Sequence, residues 1–537
     1  MQDNLPRCTF AIISHPDAGK TTMTEKLLWF GRVVRETGMV KSKHGKFAKS
    51  DWMELEKERG ISITSSVMSF PYNNRAMHLL DTPGHKDFSE DTYRTLTAVE
   101  SVLMMVDSAK GVEEQTKKLM EVCRLRDTPI VTFMNKFDRD SRDAFELIDD
   151  VEKTCTIQCA PMTWPIGDGV NFKGVYDLKN KVIMSFKNSD SPEDFFTLDA
   201  SDLDAPEVRS YVGEQLLEKL KADLEMVSNL MPEFNEEEFL AGIQTPVYFG
   251  SALYTFGVQE VLDFLSTHSP GPIPRLALLP PFDSDSPKRI VTPEETKFTG
   301  FVFKIQANMD KRHRDRVAFL RVCSGVFNRN QKIFHCRSGK EVKISSPLIF
   351  QAQDREIAEM ALPGDIIGLH DTGKYQIGDT FSEGEMLKFT GIPSFAPEIF
   401  AKVFLKDPMK AKQLEKGLEQ LSEEGTVQLF IRHGTQEKIL GAVGQLQFEV
   451  VKYRLEDEYG VRGDYQSYSF LGIRWLRYKD DKARAKFFES QSNNILYDIK
   501  NRDCYGVRSE WDLKLAMEKN PDVEFFNNSD YQTKHHD

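Results

Sequence analysis

The stretch Ser14-His15-Pro16-Asp17-Ala18-Gly19-Lys20-Thr21-Thr22 leaves this chain few folds to choose from. An apolar run, Phe10 to Ile13, precedes it, and Met23, Leu27 and Phe30 follow at helical spacing. The order is strand, tight loop, helix start, the setting in which a phosphate-cradling loop works. The N–H groups of such a loop and of the first helical turn aim partial positive charge at an anion. Lys20 is then placed to reach terminal phosphates, and the Thr21 hydroxyl to sit on Mg²⁺. The general pattern begins with glycine. Here Ser14 holds that place and is small enough for the turn.

Further segments repeat the theme. Ala76 to Leu80 is an apolar strand that ends in Asp81-Thr82-Pro83-Gly84-His85. A carboxylate there can hold Mg²⁺ through water, and Gly84, having no Cβ, can give its N–H to a γ-phosphate. Taken alone, His85 is an ordinary loop histidine. Ser101 to Asp107 is almost continuously apolar, as buried parallel strands are. The strand Pro129 to Met134 delivers Asn135-Lys136-Phe137-Asp138. An Asp138 carboxylate can accept from guanine N1–H and the exocyclic amine. Adenine has no such donors, and a site of this type discriminates by roughly 10⁴ or more. From about 160 to 242 the β/α rhythm breaks, which reads as an inserted subdomain. It resumes at Pro246 to Phe249, and Ser251-Ala252-Leu253 follows, whose backbone N–H groups can finish a base pocket. Every segment ends an apolar strand on one rim of a parallel sheet, where open α/β sheets bind ligands.

The rest of the 537 residues predicts more domains. Seven prolines between 270 and 293 mark a stiff linker at 276–297 after a nucleotide domain at 1–275. Short strands with turns at 298–390 suggest an antiparallel β-barrel. Its basic stretch Lys311-Arg312-His313-Arg314-Asp315-Arg316 suits either RNA phosphates or an exposed turn. Residues 395–475 follow the strand–helix–strand–strand–helix–strand order of a ferredoxin-like α+β domain. Residues 476–537 read as an extension and polar tail, and Trp475 and Trp511 stand as isolated anchors in the polar stretch after Gln466.

Composition narrows the partners. A net charge of −13 disfavours indiscriminate nucleic-acid binding, so DNA is not expected. Seven cysteines without a Cys-x-x-Cys suit reduced thiols in the cytoplasm. The run Val102 to Val106 is too short to cross a bilayer, and no secretory signal is visible.

The segments 14–21, 81–85, 135–138 and 251–253, with Glu58-Arg59-Gly60-Ile61, resemble the translational GTPases. The resemblance implies hydrolysis of GTP to GDP and phosphate with Mg²⁺, stimulated by the ribosome through its large-subunit RNA and small subunit. It implies that His85 orients the attacking water, that Asp17 helps hold the active arrangement, and that Ile61 forms an apolar gate. Most of that family has Thr where this chain has Ser62, which keeps a hydroxyl for Mg²⁺ and loses a methyl. Gly444 to Val450 resembles the third domain of the class II peptide chain release factors.

The function expected from these resemblances is a monomeric GTPase that promotes departure of class-I release factors after peptide release. Two other readings are a translocase relative and a GTP-gated ribosome-binding module that needs no hydrolysis. The roughly 70 residues after Gln466 are too few for two further ordinary domains, which argues against a translocase.

Overall fold

The structure is a computed structural model describing residues 5–33, 62–124, 126–186, 195–282, 286–307, 316–351, 354–392 and 396–529. The Lys-rich stretch near 40–49, Glu58 to Ile61 and Lys311 to Asp315 lie outside the described residues.

The nucleotide domain is built on β1 (Arg7–Ser14), β2 (Ser66–Tyr72), β3 (Arg75–Asp81), β4 (Ser101–Asp107), β5 (Ile130–Asn135) and β6 (Gln158–Pro161). An antiparallel sheet of β7 (Thr163–Ile166), β8 (Gly174–Asp177), β9 (Val182–Phe186) and β10 (Phe195–Asp199) intervenes before β11 (Gln244–Phe249). The main sheet runs β2-β3-β1-β4-β5-β11-β6, parallel except for β2. Alternate residues of β1 and β4 feed two cores, Ala11, Ile13, Val102 and Met104 on one face and Phe10, Ile12, Leu103 and Met105 on the other. Two covered faces explain why these strands read as unbroken apolar runs.

The insertion differs at its edges from the span read in sequence. β6 is the edge strand of the main sheet, so the small sheet leaves it only after Pro161. At the other end Phe239 already packs with the nucleotide-domain core. Between them Trp164 is fully buried and donates to Asp223 Oδ2 on the helix Glu214–Leu230 at 3.1 Å.

The proline-rich segment is also more than a linker. Arg275–Leu278 pairs antiparallel with both Lys288–Val291 and Lys388–Phe389, which ties it to the end of the β domain. Proline tolerates such short edge pairings, so its density did not exclude strand. The β domain is an eight-stranded antiparallel sheet centred on Thr299–Ala307 and Arg316–Ser324. Both strands are buried along their whole length. Val302, Ile305, Ala318 and Leu320 face the domain's own core, while Phe301, Phe303, Val317 and Phe319 join the core of the nucleotide domain.

The final region corrects the expected tail. Ile399–Leu405, Gln428–Arg432, Lys438–Ala442 and Gly463–Ser467, with helices Ala411–Glu423 and Gln445–Tyr459, make the expected βαββαβ unit. Gly472–Tyr478, Ile495–Asp498, Asp503–Val507 and Val523–Phe526, with helices Asp481–Gln491 and Glu510–Lys519, make a second. Each unit has spatial order fourth, first, third, second, and their second strands pair antiparallel, so one eight-stranded sheet carries both. Trp475 is buried and donates to Asp498 Oδ2 at 3.0 Å, whereas Trp511 is exposed. The second unit escaped sequence reading because two of its strands are only four residues long and its first helix buries Phe487 alone.

Candidate functional site

All four segments singled out in the sequence reach the same rim of the main sheet. Ser14 ends β1, Asp81 ends β3, Asn135 ends β5, and Gly250 follows β11. Neighbouring strands run parallel, so their C-terminal ends are brought side by side, at the place where this kind of sheet holds ligands.

Residues His15 to Gly19 form the loop, and Lys20, Thr21 and Thr22 open the helix Lys20–Phe30. Two backbone positions demand their conformations. Asp17 has φ 66°, and Gly19 has φ 97°. A Cβ on Gly19 would lie 2.3 Å from Asn135 Nδ2, so glycine is needed both for its dihedral and for clearance. Ala18 N–H turns back to His15 O, while His15 Nε2 meets Glu113 Oε2 at 2.8 Å. Pro16 lies beside Gly84, where an added Cβ would approach its backbone nitrogen at 3.5 Å, which records how near the two loops run.

Lys20 and Asp81 are both buried and form an ion pair of 2.5 Å through Asp81 Oδ1. Asp81 Oδ2 is buried without a partner, as is Ser14 Oγ. Thr82 Oγ1 donates to Ile12 O at 2.7 Å, and Thr92 Oγ1 donates to Pro83 O at 3.1 Å, which fixes the turn against β1. His85 caps the short helix Lys86–Phe88, its Nδ1 accepting Asp87 N–H at 3.2 Å. Ser62 is partly buried at the start of a described segment.

At the other end of the rim Asn135 links three loops. Its Nδ2 donates to Ala18 O at 2.7 Å, and its Oδ1 accepts Ala252 N–H at 2.8 Å. Lys136, at φ 76°, donates to Asp107 Oδ2 at 2.7 Å. Burial raises the Asp107 carboxyl, but this bond and the Ala109 N–H outweigh it and leave it below the usual carboxylate range. Phe137 is buried edge-on against Phe249. Ser251 Oγ donates to Asp138 Oδ1 at 2.5 Å.

Here the structure amends the sequence reading. Ser251 N–H is taken by Phe256 O and Ala252 N–H by Asn135 Oδ1. In this arrangement the two residues orient Asn135 and Asp138 and offer no free N–H of their own. Leu253 follows them, partly exposed. Glu113, Asp107 and Asp87 were not singled out in sequence. They sit in no motif: Asp107 reaches the rim as the last residue of β4, and Asp87 and Glu113 through the segments that follow β3 and β4.

Fold and rim together define a P-loop nucleotide-binding domain. Comparison with known proteins agrees and goes further. The elongation factor Tu GTP binding domain family matches residues 6–271, elongation factor G domain 2 matches 297–384, and the C-terminal domain of class II release factor RF3 matches 389–517. A crystal structure from Thermus thermophilus superposes with a TM-score of 0.68 at 22% identity, covering 88% of this chain and 68% of that one, a likeness of fold. The chain belongs to the class II release factors of the translational GTPase family. It is therefore a GTP-hydrolysing enzyme that binds guanine nucleotides and works with the ribosome. Among the described residues no helix is long and apolar enough to cross a membrane.

Proposed function

We propose that this protein couples GTP hydrolysis on the ribosome to the departure of a class-I release factor after peptide release, acting as a monomer. The observation that carries the reading is the joining of a guanine-type carboxylate loop, a phosphate loop and a release-factor C-terminal domain in one chain. Lys20 and the N–H groups at the start of the helix Lys20–Phe30 bind the phosphates, and Asp138, steadied by Ser251, selects guanine.

Mg²⁺ suits the donors present. Asp81 Oδ2 is a buried anionic oxygen with no partner, and the Thr21 hydroxyl stands at the first turn of the neighbouring helix. Thr21 and Ser62 would hold the cation directly and Asp81 through water. When bound, it neutralises charge on the phosphates. Phosphoryl transfer then needs a positioned water more than a strong base, and His85 supplies the orientation. Asp17, in its left-handed conformation, holds the loop open toward the phosphates.

The test measures GTP hydrolysis with and without ribosomes, together with loss of a labelled class-I release factor from post-release ribosomes. Stimulated hydrolysis with faster loss supports the proposal. Stimulation without faster loss overturns the recycling role. Asp138→Asn is expected to weaken the preference for GTP over ATP by roughly 10³-fold or more, read by competition binding.

A further inference from the structure

The helix Gln445–Tyr459 begins at Gly444, which has no side chain to cap it. A helix start leaves N–H groups without intrahelical partners. The helix's own Gln447 Oε1 turns back to Val443 and Gly444 N–H, at 2.7 and 3.2 Å. Leu446 N–H points the other way, out of its domain, and donates to Asp87 Oδ2 of the nucleotide domain at 2.8 Å. A Cβ on Gly444 would lie 1.9 Å from Asp87 Cγ, so the missing side chain leaves the space that the carboxylate fills. Asp87 is only 3% exposed.

Asp87 faces the rim as well. Its N–H donates to His85 Nδ1, and the next residue, Phe88, packs with Ile63, Val450 and Leu446 in a small apolar cluster between the two domains. We propose that Asp87 is a positioning residue, the N-cap that the third domain's helix borrows from the nucleotide domain, and that it ties the setting of His85 to the docking of the third domain. Aspartate suits the task, because a carboxylate both accepts the N–H and opposes the positive end of the helix dipole. Coupling through one shared contact is reciprocal. A shift of the 85–88 segment uncaps the helix, and displacing the helix frees the segment.

The proposal rests on the role given above to His85, but its test uses the nucleotide-free full chain and reads no hydrolysis. Hydrogen exchange is followed at the amides of 86–88 and 445–448, with NMR of the His85 ring. Asp87→Ala is expected to speed exchange at 445–448 about fivefold, the equivalent of about 1 kcal/mol of lost capping. Asp87→Ser and Asp87→Asn, which also cap, return it to within about twofold of the parent. Gly444→Ala, made only in the third domain, speeds exchange at 86–88 and moves the His85 resonance. The double variant is expected to exceed neither single one, as members of one contact should behave. An unmoved His85 resonance in Gly444→Ala, or Asp87→Ser behaving like Asp87→Ala, overturns the proposal. Failure of guanine selectivity would instead overturn the proposed function and leave this result standing.

Discussion

The two rims of the nucleotide-domain sheet are held by different physics. Near the starts of β1 and β4, charges are buried in fixed pairs. Glu100 lies between Arg275 and Arg321 at 2.8 and 2.6 Å, and Arg321 also donates to Thr9 Oγ1. Asp365 of the β domain is gripped by Arg7 and His78 at 2.8 and 3.0 Å. On the opposite rim the third domain touches the segment after His85 through one borrowed cap and a small apolar cluster. Arg94, paired with Glu90 at 3.2 Å, adds a bond to Gly425 O at 3.1 Å, and Gln428 Nε2 donates to Glu90 Oε1 at 3.3 Å. A buried ion pair is costly to break on one side, because its partner is left charged and dry. A cap and a few apolar contacts exchange for water at far lower cost. The contrast suits a body fixed at one rim and responsive at the other.

Removing one member of the fixed rim tests this most severely. Glu100→Ala strands two buried guanidinium groups and is expected to cost about 3–5 kcal/mol, read by denaturant unfolding of the full chain. A loss below about 1 kcal/mol would erase the distinction between the rims. Val450→Ala on the responsive rim trims the apolar cluster and should cost about 2 kcal/mol at most. Most of that loss should appear as faster hydrogen exchange at 86–88, with the β domain unaffected.

Acid should weaken the fixed rim. Burial raises the Asp365 carboxyl, yet the hydrogen bonds and charges of His78 and Arg7 outweigh it and hold it well below the usual range. A depressed folded-state pKa gives stability that is present above the unfolded value near 4 and is lost as pH falls below it. The parent should therefore lose on the order of 1 kcal/mol per pH unit between about pH 4 and 3 from this group. Thermal unfolding of Asp365→Asn should show a shallower slope there.

Much of the rim was legible because each motif is local. A strand end, a glycine that must clear a neighbour and a carboxylate in a loop are all written within a few residues. Gly19 was readable in this way, although its neighbour Asn135 lies far off in the chain. The Ser251-Ala252 segment was readable as part of the site but not in its role, since only the fold shows its N–H groups already taken. The second βαββαβ unit was missed for a related reason. Its strands gain their meaning from the edge that Gln428–Arg432 offers to Ile495–Asp498, and no periodicity in 472–526 announces that pairing.

Sequence by itself determined the nucleotide domain, the kind of ligand its rim suits and the order of the domains, because those depend on short-range geometry and on strand and helix patterning. Tertiary structure alone decided which domain caps the helix at Gly444, which charges are buried between Arg275 and Arg321, and how the two C-terminal units share one sheet. These are contacts between residues far apart in the chain, and their energies exist only once packing has removed the water between them.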